Sequence, residues 1–267
     1  MIKKEDLVAL SEGERFISGI YNYCDRWCER CSFTSRCMHF AASKKAHSEL
    51  ESFDIENDAF WRGLSETFQV TLEWVEELAK REGIDLSAID VEAQGQLDAY
   101  DDAVAEAHSC CRMGKTYSNK VAEWFDTVAA DTPETEDRGE TNSPADSVDV
   151  DPAGVNASCH DALAVVRWYQ HHIFVKLMRA VRGQLREEEQ SWDEFAKDSD
   201  GSAKVALIGI ERSIAAWGEL RRCFFQHQRE IADILVLLEA LRRNVEDAFP
   251  AARDFIRPGF DRVNLNG

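Results

Sequence analysis

The chain has 267 residues, 44% of them apolar, and carries a formal charge of −19 with a pI near 4.8. That is enough apolar material to bury a core, while the acidity opposes binding to phosphate backbones and to anionic lipid surfaces. No run approaches the roughly 18 apolar residues that a membrane-spanning helix needs, and the start MIKKEDLVALSEGERF lacks an apolar signal region and a small-residue cleavage site. The sequence therefore reads as a soluble, cytoplasmic protein, with neither nucleic acid nor membrane expected as a partner.

Five prolines and fourteen glycines punctuate the chain, and apolar residues recur at helical rather than alternating spacing. The pattern predicts an all-α fold, a helical bundle of about five long helices with an N-terminal cysteine-rich turn. Ser11 and Glu14 form a capping-box signature ahead of Phe16, Ile20 and Tyr23, so a first helix is expected to lead into the cysteines. A short helix over 38–51 should lead away from them. Phe60, Leu64, Phe68, Leu72, Val75 and Leu78 then mark a helix with Asn57 or Asp58 as N-cap and its end near Gly83.

The spacing next predicts one helix over 96–129, bent at Gly114. Residues 131–158, DTPETEDRGETNSPADSVDVDPAGVNAS, are acidic, proline-containing and almost without large apolar side chains, as expected of a linker. A helix starting near Ser158 carries Leu163, Val166, Ile173, Phe174, Leu177 and Val181, with further apolar residues on its other faces, which suits the centre of a bundle. Ser202 is the expected cap of a helix bearing Leu207, Ile210, Ile214, Trp217 and Phe224. The last helix runs from Ile231 to Phe249 and stops at Pro250. These elements divide the chain into N-terminal helices with a metal site (1–52), a first helical half (53–130), an acidic loop (131–158), a second helical half (159–250) and a tail (251–267), the two halves sharing one core.

The densest chemistry lies in YNYCDRWCERCSFTSRCMHF, where Cys24, Cys28, Cys31 and Cys37 follow the spacing C-x3-C-x2-C-x5-C. Four thiolates close the coordination sphere of tetrahedral zinc or hold the corners of an iron–sulfur cubane. Were residues 24–31 one regular helix, the outer two of its three cysteines would stand about 10 Å apart along the axis. Bonds near 2.3 Å to a single zinc ion could not gather them, whereas a larger cluster tolerates the separation. A break of the helix at Arg26 or Trp27 would reopen the zinc option. The expected cofactor is a [4Fe–4S] cluster held by these four cysteines, with zinc as the alternative and His39 as an alternative fourth ligand.

The segment also resembles known cluster sites. Its C-x2-C-x5-C portion is similar to the iron–sulfur loop of endonuclease III-type DNA glycosylases, and Cys31-Ser-Phe-Thr-Ser-Arg-Cys37 resembles a segment of iron–sulfur exonucleases related to the CRISPR adaptation nucleases. The resemblance is confined to this stretch and implies cluster ligation by Cys28, Cys31 and Cys37. DNA chemistry is not implied, because the chain has no carboxylate–lysine nuclease pattern, no helix-hairpin-helix glycine loop and the wrong charge. Cys24, Cys28 and Cys31 also share the spacing of radical S-adenosylmethionine enzymes, without the strand series that those enzymes need.

Elsewhere the signals are weaker. A Glu-x-x-His pair, expected of di-iron carboxylate bundles, is missing. His108, His160, His171 and His172 could form a second metal site, although His160 and His171 stand about 16 Å apart along one helix axis. Cys110, Cys111, Cys159 and Cys223 read as small buried hydrophobes. DSDG at 198–201 reads as helix-capping chemistry rather than as a calcium loop. No nucleotide-binding or hydrolase motif is found. The sequence thus points to a metal-binding helical protein in a structural, redox-sensing or electron-transfer role, acting with a redox or protein partner. A helical metalloenzyme and a zinc-stapled interaction protein are the alternatives.

Overall fold

The computed structural model describes residues 15–49, 57–131, 157–189 and 197–261. Among them are seven α-helices, short 3-10 turns and no strand: α1 (Met38–Glu49), α2 (Asp58–Glu82), α3 (Val91–Ala107), α4 (Ser109–Asp131), α5 (Ala157–Glu189), α6 (Asp198–Cys223) and α7 (Gln228–Ala248). The fold is all-α, and no helix of the described residues is long and apolar enough to cross a membrane. The Ser11 cap, most of the acidic segment and the last six residues lie outside the described residues.

One core shared by two sequence halves was the expectation. The chain instead forms two compact units, Met1–Tyr100 with Ile256–Gly267, and Asp101–Phe255. The second unit is self-sufficient because α4 joins the three helices beyond the acidic segment. Its packed pairs are α4 with α5, α5 with α6, α6 with α7 and α7 with α4, a closed ring of four. Side-chain pairs give the directions. Along α4 and α5, Gln170 donates to the Ser118 carbonyl, and the Arg167 guanidinium lies over Phe125 farther along. Cys159 near the start of α5 meets Cys223 at the end of α6, while Arg179 and Glu187 near the end of α5 bind Asp198 and Ser199 at the start of α6. Ser109 binds Asn244, and Trp124 packs near His227, so α4 and α7 also run oppositely. The result is an up-down-up-down four-helix bundle.

Its centre is aromatic. Trp124 meets Trp217 edge-on at 4.9 Å between centroids and Phe224 at 5.1 Å. The Trp217 indole N–H donates to the Tyr117 hydroxyl at 3.2 Å. Both partners are fully buried, so each polar atom needs the other. Burial pushes the Tyr117 phenol up to about 12, leaving it neutral and able to accept from the indole.

Helix ends follow local chemistry in several places. The Asn57 side chain accepts from the Ala59 N–H at 2.9 Å, and Gly83 ends α2 in the left-handed region. Ser202, expected to cap α6, lies buried inside the helix, which begins four residues earlier at Asp198. The free N–H of Ser199 is instead satisfied by the Glu187 carboxylate of α5 at 3.0 Å, a partner that local spacing cannot reveal.

The helix expected over 96–129 is two helices. The break falls at His108, whose Nδ1 accepts the Cys110 N–H at 3.3 Å, and not at Gly114. Gly114 serves packing, because a Cβ there would stand 3.0 Å from a Leu177 methyl of α5. The apolar stripe of α2 differs from expectation too: Phe68 and Leu72 are 65% and 60% exposed. It is not a core face.

Close approach between α5 and α6 is visible at Gly209, where a Cβ would lie 2.9 Å from the Tyr169 ring. Gly218 on the same helix faces open space. Gly209→Val should therefore lose about 1–3 kcal/mol to overpacking. Gly218→Ala should gain about 0.5–1 kcal/mol from helix propensity. Urea titrations followed by circular dichroism would read both, and equal shifts of the two variants would contradict the packing described.

Candidate metal centre

The cysteine segment is not helical. Glycine at position 19, with φ 70°, turns the chain into a 3-10 turn over Ile20–Asn22, and Ile20 is buried beneath it. Arg26 then takes the left-handed conformation at φ 61°, unusual for a side-chain-bearing residue. Trp27 follows at φ −81°, ψ 74°, and the Cys28 N–H bonds back to the Arg26 carbonyl at 2.9 Å. This is an inverse γ-turn, incompatible with a continuing helix. Two further 3-10 turns, Cys28–Arg30 and Thr34–Arg36, end on Cys31 and Cys37. Residues three apart lie on one side of such turns, which places Cys28 and Cys31 together. The Ile17 N–H bonds to the Arg36 carbonyl at 3.0 Å and ties the two ends of the segment.

The three turns wrap one pocket, open on one side, and all four cysteines line it together with His39. Its apolar wall includes Ile20, Trp27, Phe33, Phe40 and Phe260. Phe260 comes from the far end of the chain and meets Phe33 edge-on at 5.0 Å. Gly259 makes room for this return: its φ is 78°, and a Cβ there would stand 2.8 Å from Ile17. Nothing in the tail's sequence marked Phe260 as part of a cysteine pocket.

Two sulfurs already accept backbone hydrogen bonds, Cys31 from the Phe33 N–H at 3.4 Å and Cys37 from the Phe40 N–H at 3.5 Å. Such bonds favour thiolate over thiol and are among the levers that tune an iron–sulfur centre. The Cys28 thiol is pushed up by burial and then by its neighbours Cys24, Cys37, Glu29 and Cys31. That mutual repulsion is what a shared cation would relieve. His39 is held below the usual imidazole range by burial and then by Arg26.

The helix break makes the 10 Å argument inapplicable. Among the described residues, Cys159, Glu219 and Cys223 are the His, Cys or acidic triad whose ligand atoms all lie within 4.8 Å of one another, and the N-terminal cysteines form no such triad. Four thiolates on one zinc stand only about 3.8 Å apart, from tetrahedral geometry and bonds near 2.3 Å. A cubane carries its thiolates outward on four separate irons.

The four histidines do not assemble. His171 Nδ1 pairs with the Ser118 hydroxyl at 2.8 Å, His172 packs edge-on against Tyr169 at 5.8 Å, His160 is exposed, and His108 holds the α4 terminus. Cys110 and Cys111 are fully buried, with burial raising their thiols to about 11 and about 12, and the Cys110 thiol donates to Asn244 at 2.8 Å. They are inert packing groups. Cys159 and Cys223, read as the same kind of residue, are instead joined as a disulfide between α5 and α6, with Cα atoms 6.5 Å apart. Sequence reasoning missed this pair because 64 residues separate its members. Comparison of the chain with family models, curated proteins and solved structures gives no match.

His108 carries a pH dependence. Burial, and then Arg112, hold its pKa below the ordinary value, and Nδ1 must stay unprotonated to accept from Cys110. The unfolded chain takes up the proton first, so this residue's contribution to stability is full above about pH 6.5 and falls as pH drops towards the lower folded value. Arg112→Gln should raise the His108 pKa and shrink the acid loss. NMR titration of the imidazole would measure the shift, and an unchanged value would rule out the Arg112 contribution.

Proposed function

We propose that the N-terminal unit carries a cysteine-ligated metal centre, a [4Fe–4S] cluster held by Cys24, Cys28, Cys31 and Cys37, in a structural, redox-sensing or electron-transfer role. The observation that carries this reading is that all four cysteines line one pocket. Two backbone N–H groups aimed at sulfur and an aromatic wall that limits water support it. When bound, the cluster supplies one-electron chemistry. Cys24, Cys28, Cys31 and Cys37 would anchor its irons, Phe33 and Phe40 amides would bond to two anchoring sulfurs, and Trp27, Phe33 and Phe260 would screen it from solvent. A redox or protein partner would meet it on the open side of the pocket.

Zinc is the second reading, favoured by the turn at Arg26 and Trp27. That turn frees the cysteines from the rise of a helix and allows Cys28 and Cys31 to approach a single ion. The centre would then be a staple, and function would lie in what the helical units bind.

Purification without air should give a brown protein with a broad band near about 400 nm and about four irons and four sulfides per chain. Cys31→Ser should lose most of the iron, while Cys110→Ser, placed in the inert bundle core, should keep it. Colourless protein with one zinc would establish the staple. Absence of stoichiometric metal in anaerobic protein would reject both readings.

A further inference from the structure

The bundle holds a second sulfur site, independent of the N-terminal cysteines. Cys159 sits on the first turn of α5, and Glu219 and Cys223 lie one helical turn apart near the end of α6. Their ligand atoms all lie within 4.8 Å of one another. Cys159 is 1% exposed, whereas Cys223 and Glu219 are half-buried and open towards solvent. The Glu219 carboxylate is held in place from two sides: the Ser158 hydroxyl donates to Oε1 at 2.9 Å, and Arg222 pairs with Oε2.

We propose that this is a redox-gated site for a zinc-class divalent cation: closed as the Cys159–Cys223 disulfide, and metal-binding through both thiolates and Glu219 once that bond is reduced. The carboxylate is fixed beside the two sulfurs by contacts from both helices. In the reduced pair that carboxylate opposes thiolate formation, and a bound cation would reconcile the three groups as anions. Two thiolates with one carboxylate suit zinc better than calcium or magnesium, and three protein ligands leave a position open for water. The two charges of zinc and the Arg222 guanidinium together match the three negative ligands. The spacing of Glu219 and Cys223, four apart on a helix, is one that lets two side chains face a single ion.

The exposure difference sets the order of opening. An external dithiol attacks the accessible Cys223 sulfur as thiolate, the Cys159–Cys223 bond breaks, and its electron pair leaves on Cys159. The second thiol of the reagent then attacks the mixed disulfide, leaves as a cyclic disulfide and releases Cys223. The two cysteines are reduced by two electrons and the dithiol is oxidised by two. The entering cation displaces the protons of both thiols.

The test uses the full chain with Co2+ as a coloured substitute for zinc, after reduction by a dithiol and anaerobic desalting. Reduced wild-type protein should bind one more Co2+ per chain than reduced Cys159→Ser, with an added thiolate-to-cobalt absorption. Air reoxidation, with the Cys159–Cys223 bond verified by peptide mass spectrometry, should expel that ion. Glu219→Gln should still form the disulfide but weaken the extra ion by at least about tenfold. If Cys159→Ser fails to fold by circular dichroism, Glu219→Gln carries the test alone. Equal Co2+ binding by reduced wild type and Cys159→Ser, or unchanged affinity in Glu219→Gln, would overturn the proposal. Neither result depends on what the N-terminal cysteines bind, since those residues are the same in every variant.

Discussion

The seam between α5 and α6 is the constraint on which the bundle depends. The two helices approach closely because glycine stands where a side chain would strike: Gly209 opposite the Tyr169 ring, and Gly183 with Ser199 backbone atoms 3.2 Å from where its Cβ would be. At one end the seam is fastened by Arg179 with Asp198 and by Glu187 with Ser199. At the other it is fastened by the Cys159–Cys223 bond. In the chain-entropy account, a cross-link closing a loop of this length adds about 4 kcal/mol, comparable with the whole stability of many domains. Once this pair is fixed, α4 and α7 complete the ring, and Trp124 and Trp217 meet in its interior.

That organisation explains which features could be read from the sequence. Helices whose apolar residues recur with a 3.6-residue period were legible, as were ends marked by local chemistry at Asn57, Gly83 and Pro250. Ends secured from another helix were not. The start of α6 depends on Glu187, and the break at His108 follows from a ring nitrogen accepting the N–H two residues ahead. Glycines in close packing, such as Gly114, look in sequence like points of bending. The α2 stripe shows the converse: strong periodicity establishes a helix but does not say that its apolar face is covered.

The cysteine segment was legible as a collection of ligands but not as a shape. Composition and spacing single out Cys24, Cys28, Cys31 and Cys37, and the pocket does gather them. Their arrangement, however, comes from two residues in a left-handed conformation, Gly19 and Arg26, and from three 3-10 turns, which leave no periodic trace. Phe260 was beyond reach for a different reason. Its place in the pocket depends on the chain returning through Gly259, a contact across almost the full length of the sequence.

Charge separates the local chemistry from that of the whole chain. The protein is strongly acidic, yet among its cysteines the segment contains Arg26, Arg30 and Arg36 against the acids Asp25 and Glu29. Arg30 lies over the Trp27 ring at 3.8 Å, and the charge of Arg26 reaches the pocket, since it depresses the protonation of His39. Four thiolates bring more negative charge than one zinc ion can balance, and a reduced iron–sulfur cluster carries one negative charge more than its oxidised form. Arg26, which lines the pocket, favours the more negative state in either case, while Glu29 opposes ionisation at Cys28. For zinc, that positive charge would offset part of the excess negative charge of four thiolates. For a cluster it would raise the reduction potential relative to the same ligands without it. A positive charge beside the four cysteines, in a chain that is acidic overall, is thus what either metal would require of its surroundings.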